Sequence, residues 1–76
     1  MPPIITEQEL RRYVGNQIKF GDYLGELRSS GSAFSTEFFI AVYSMDELSQ
    51  FIPLKNEDEI EIGTNSHFLP YKVSLN

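Results

Sequence analysis

From Asn16 onward, apolar residues recur at every second position in short stretches punctuated by glycine, proline and asparagine. A period of two belongs to strands whose faces meet different surroundings. Gln17–Phe20 puts Ile18 and Phe20 on one face and Gln17 and Lys19 on the other. After a Gly21-Asp22 turn, Tyr23, Gly25 and Leu27 share one side, with Leu24, Glu26 and Arg28 opposite. A glycine inside a strand marks a bend or a close backbone approach. Ser29-Ser30-Gly31-Ser32 reads as a loop. Residues 37–43 form the strongest strand, with Phe38, Ile40 and Val42 on one face and Phe39, Ala41 and Tyr43 on the other. Two apolar faces imply cover on both sides, by the α-helix or by a partner.

Two helix starts are written into the chain. Thr6-Glu7-Gln8-Glu9 is a capping box, with Ile5 and Leu10 spaced as a hydrophobic staple. Leu10, Tyr13 and Val14 form an i, i+3, i+4 stripe and Gly15 supplies a left-handed stop, which predicts a helix of about eight or nine residues. Ser44-Met45-Asp46-Glu47 is a second capping box, and a helical turn begun there should end before Pro53. Lys55-Asn56 reads as a turn. Residues 58–62 alternate again, with Ile60 and Ile62 inward and Glu59 and Glu61 outward. Gly63-Thr64-Asn65-Ser66 turns the chain, a short strand covers 67–69, and a last one follows Pro70 with Tyr71, Val73 and Leu75 on one side.

The expected architecture is mainly β. It is a single domain over residues 1–76, a small five-stranded curled barrel with an N-terminal α-helix. Residues 1–5 form an extended leader, and a short helical insertion over 44–56 separates strands 3 and 4. In 76 residues the core is thin. With no cysteine, no disulfide or zinc–thiolate site reinforces it, so a partner subunit is the expected reinforcement.

This order resembles the Sm-like (LSm) family and, more broadly, SH3-like small barrels. Leu10, Val14-Gly15 and Ile18 are similar to that family's passage from helix to first strand. Tyr23-Leu24-Gly25-Glu26-Leu27 matches its glycine bend, and Ile62-Gly63-Thr64-Asn65 followed by Phe68-Leu69-Pro70 resembles its second motif. The resemblance implies a homo-oligomer joined strand edge to strand edge, and a loop for uridine-rich single-stranded RNA. Its ligand positions fall on Phe34, Ser35, Gly63 and Asn65. The sequence departs from the family there: Gly31 and Ser35 replace the flanking Asp and Asn, and Glu61-Ile62-Gly63 lacks the stacking arginine.

Charge and motifs narrow the function classes. Eleven acidic against six basic residues give a net charge of −5, the opposite of a protein that grips duplex phosphates. Glu57, Asp58, Glu59 and Glu61 cluster, which reads as a solvated strand face and turn or as an acidic patch for a basic protein partner. That second reading makes the chain an acidic interaction or inhibitor protein of mobile-element or phage type. His67 has no companions at ligand spacing, and no nucleophile elbow, phosphate loop or calcium loop is present. The expectation is therefore no enzyme, no cofactor and no metal. The longest apolar run is too short for a bilayer and no basic leader opens the chain, so the expected location is cytoplasmic, away from any membrane.

Overall fold

A computed structural model describes residues 1–31, 36–42 and 50–75. In chain order the elements are β1 (Ile4–Thr6), α1 (Glu7–Arg12), β2 (Gln17–Phe20), β3 (Tyr23–Gly31), β4 (Thr36–Val42), β5 (Gln50–Pro53), β6 (Glu59–Thr64) and β7 (His67–Ser74). The seven strands form one mixed sheet in the order β1-β7-β6-β2-β3-β4-β5. Only β1 runs parallel to its neighbour, β7.

The five-stranded barrel is corrected by this order. A closed cylinder needs its terminal strands to pair, whereas β1 and β5 end the sheet on opposite sides and the ladder stays open. Both margins carry a proline, Pro3 just before β1 and Pro53 in β5. Proline cannot donate to a ladder, which suits it to a sheet edge. The likeness to Sm-like and SH3-like barrels falls with the closed cylinder.

The helical insertion is corrected too. Gln50–Pro53 is a strand whose residues pair antiparallel with Phe39 through Val42. The proline that was to end a helix instead sits on a margin where its missing N–H costs no ladder bond. Residues 44–49, with the second capping box, lie outside the described residues. At the other end of the chain, Ile4 and Ile5 of the leader pair with Lys72 and Val73.

α1 begins at the expected cap: the Glu9 N–H donates to Thr6 Oγ1 at 3.4 Å, but Glu9 Oε1 accepts from the Thr6 hydroxyl at 3.1 Å rather than from the Thr6 N–H of a full capping box. The helix is shorter than expected, six residues, with Tyr13 as its C-cap. Gly15, at φ +97°, then donates to the Leu27 carbonyl at 2.8 Å and steers the chain into β2.

The hairpin turns follow from residue type. Gly21, at φ +60°, opens the two-residue β2–β3 turn, and Asn65 and Ser66, both at positive φ, form the two-residue β6–β7 turn. The expected loop over 29–32 is corrected for 29–31, since β3 continues through Gly31 and pairs there with Thr36. β7 also runs unbroken across Pro70. Lys72, two residues on, donates to the Pro3 carbonyl, so the Pro70 nitrogen likewise faces away from β6, and β1 does not reach its level.

One face of the sheet holds the core: Ile5, Ile18, Leu27, Phe38, Ile40, Ile60, Ile62 and Val73, joined by Leu10 from α1 and Leu54 after β5. The connection over 54–58 clasps this face. At one end the Leu54 N–H donates to the Phe38 carbonyl at 2.9 Å. At the other, the Glu57 N–H donates to Val73 O and the Val73 N–H to Asp58 O, both at 2.8 Å. The Asp58 carboxylate accepts from the Lys55 N–H at 2.8 Å, and Asn56 Oδ1 accepts from the Leu75 N–H at 2.5 Å. The apolar face is thus closed by one short helix and one tied loop.

Candidate interaction surfaces

Because successive side chains alternate, the other face is fixed by the same register: Phe68, Pro70 and Lys72 on β7; Glu59, Glu61 and Gly63 on β6; Lys19 on β2; Leu24, Glu26 and Arg28 on β3; Glu37, Phe39 and Ala41 on β4; Phe51 and Pro53 on β5. This outer face divides into a charged half around β6 and an aromatic end at β4–β5.

Of the four expected ligand-loop positions, Phe34 and Ser35 lie outside the described residues. Gly63 accepts a hydrogen bond from Asn16 Nδ2 at its carbonyl, 3.0 Å away. Asn65 sits in the tip of the β6–β7 turn at φ +44°. A β-carbon on Gly63 would stand 3.1 Å from Phe68 Cε1, so the ring lies against the bare glycine. Lys19 Nζ stands 4.2 Å from the centroid of the same ring, a cation–π contact. Phe68 belongs to the second motif quoted above but was not among the expected ligand positions. The signal for it is register, since a two-residue turn after Thr64 forces Phe68 opposite Gly63.

The four clustered acids are split by the backbone. Asp58 closes the 55–58 turn, and Glu57, at φ +72°, is exposed in that turn. Glu59 and Glu61 are exposed side by side on β6. Their cross-strand neighbours are Lys72 and Lys19, which dilutes the negative field. A cavity of about 630 Å³ opens beside them, walled by residues 1–3 of the leader together with Lys19, Glu59 and Glu61. Among the described residues no group of three or more His, Asp or Glu side chains gathers to hold a metal ion. His67 is exposed at the start of β7.

The aromatic end resolves the two-sided strand. Phe38 is core, while Phe39 points outward and meets the Phe51 ring edge-on, with centroids 5.4 Å apart and planes at 81°. Leu10, on the inner face, gives Phe39 no cover, and Val14 is exposed. Phe51 is 61% exposed although it packs on a neighbour. A helical turn over 50–53, as the local sequence suggests, would hide this ring, whereas the strand exposes it. The apolar pair Phe51-Ile52 ending in Pro53 was the available clue to an edge strand.

On the inner face, Tyr13 and Tyr71 lie with ring centroids 6.4 Å apart. The Tyr71 hydroxyl is held above its ordinary value, first by loss of solvent and then by the charge and hydrogen bond of Tyr13, with Glu9 adding to it.

Compared with protein-family models, with curated proteins and with solved structures, the chain matches none. No helix among the described residues is long and apolar enough to cross a membrane.

Proposed function

We propose that this protein is a non-enzymatic binding module that works by protein–protein contact and assembles with copies of itself through its sheet edges. The observation that carries this reading is the open strand order, which leaves β1 and β5 each with one unpaired side among the described residues. Exposed strand edges are templates for another strand. A core of ten buried side chains among the described residues, in a cysteine-free chain, gains from any added burial. The non-enzymatic part rests on the sequence, in which no catalytic motif was found.

Single-stranded RNA is the weaker partner, because Gly31 and Ser35 stand where the base-contacting Asp and Asn would be and Glu61-Ile62-Gly63 carries no stacking arginine. An acidic surface for a basic protein is the second reading. Exposed Glu57, Glu59 and Glu61 favour it, and the flanking Lys19 and Lys72 weaken it. Sedimentation velocity at two well-separated protein concentrations tests the choice. A mass that rises with concentration supports self-assembly. A monomer at the higher concentration removes it and leaves the acidic surface, which capture by a polycationic peptide would then probe.

A further inference from the structure

Resting on the self-assembly reading, we infer that the copies meet through β5 alone, as a two-fold dimer in which Phe51 of each chain pairs with Phe51 of the other. Hydrogen-bond parity leads to this. The Leu54 N–H bonds to the Phe38 carbonyl, so Ile52 and Gln50 also direct their backbone groups at β4. Phe51 and Pro53 then direct theirs outward from the sheet. Proline has no N–H, so within β5 the outward side offers one donor, that of Phe51, with the Phe51 and Pro53 carbonyls as acceptors.

A single donor beside its own carbonyl is self-complementary. Two antiparallel copies related by a two-fold axis through Phe51 exchange both bonds, Phe51 N–H to Phe51 O in each direction. Pro53 withholds the donor that a longer ladder would use. The two exposed rings then stand side by side on the outer face, each already in edge-on contact with its own Phe39.

The exposed aromatic pair favours this edge over the other, since Phe51 is 61% exposed beside Phe39 whereas β1 presents aliphatic Ile4. Copies of net charge −5 repel, yet Gln50–Pro53 contains no ionisable side chain, and its outer-face neighbours Phe39 and Ala41 are also neutral. At β1 the exposed Ile4 lies across from Lys72, and the strand runs directly into α1, whose first turn carries Glu7 and Glu9. Two copies meeting there would bring those carboxylates together.

Because the chain has no cysteine, single-cysteine variants report the contact directly. Opposed residues in a hydrogen-bonded antiparallel pair have Cα atoms about 5.5 Å apart, within disulfide reach. The experiment combines sedimentation of the unaltered protein with mild oxidation of Phe51→Cys and, separately, Ile4→Cys. The expected result is a concentration-dependent dimer, disulfide dimers of Phe51→Cys forming at least about tenfold faster than those of Ile4→Cys, and weakening of the dimer by Phe51→Lys. A dimer that cross-links equally well or better through position 4, or that survives Phe51→Lys unchanged, overturns the β5 contact and leaves self-assembly standing. A monomer at every concentration ends both.

Discussion

Gly25 is pressed against the backbone of Ala41 on the adjacent strand: a β-carbon at residue 25 would collide with the Ala41 carbonyl and stand 2.7 Å from Ile40 Cγ2. β3 and β4 hold that spacing at Gly25↔Val42 and Glu26↔Ala41. The close approach lies on the core side, where Gly25 is buried between Ile18 and Val42 in the ladder.

Gly25→Ala should therefore lower stability by about 1–3 kcal/mol, the range for forcing atoms into a packed interior. Gly63→Ala is the comparison. Its nearest obstacle is the edge of a half-exposed ring at 3.1 Å, which can move, so the cost should stay under about 1 kcal/mol. Urea midpoints for the two variants check the contrast, and equal midpoints would show that Gly25 sits in ordinary space.

Asn56 ties the connection between β5 and β6 to the end of β7 through the Leu75 N–H. Removing the acceptor by Asn56→Ala should cost about 1 kcal/mol, the usual net worth of such a bond. Amide hydrogen exchange gives the local signature: Leu75 should lose protection while Ile18 and Leu27, in the middle of the sheet, keep theirs.

Tyr71 predicts an alkaline weakness. Its ionisation is held above the ordinary 10.0 by desolvation and by Tyr13, so near and above pH 10 the unfolded chain loses this proton more readily than the folded one. With fewer protons bound in the unfolded state, stability falls as pH rises past the unfolded value, until the folded value is passed. Solvent near the hydroxyl screens the effect, so the share from this one group is small. Tyr71→Phe should remove that share of the loss. Chemical denaturation of both proteins at pH 8 and pH 11 measures it, and parallel losses would mean that Tyr71 ionises as readily in the folded chain as in the unfolded one.

Much of the local structure is legible in residue type. The limits of β2, the Thr6 cap, the left-handed Gly15 and the turns at Gly21 and Asn65 depend on groups within a few positions of one another, so their chemistry can be read in order along the chain. The inward set Ile18, Leu27, Phe38, Ile40, Ile60, Ile62 and Val73 follows from a period of two, because a strand flips each successive side chain. Of the surface features, Glu59 and Glu61 came out on the outer face as their alternation required.

Other features required the fold. Ile4-Ile5 became a strand only because β7 offered it a free side in parallel register, and Gln50–Pro53 became an edge because β4 needed a neighbour more than 50–53 needed a helical turn. Neither partner is visible within a local window. The meeting of Phe39 with Phe51, of Phe68 with Gly63, and the open order of the seven strands likewise depend on pairings between distant segments. The sequence by itself determined where strands and turns could form, since steric limits and capping bonds act locally. Tertiary structure alone decided which strands lie side by side and which end the sheet, since that choice minimises unpaired backbone and exposed apolar area over the whole molecule at once.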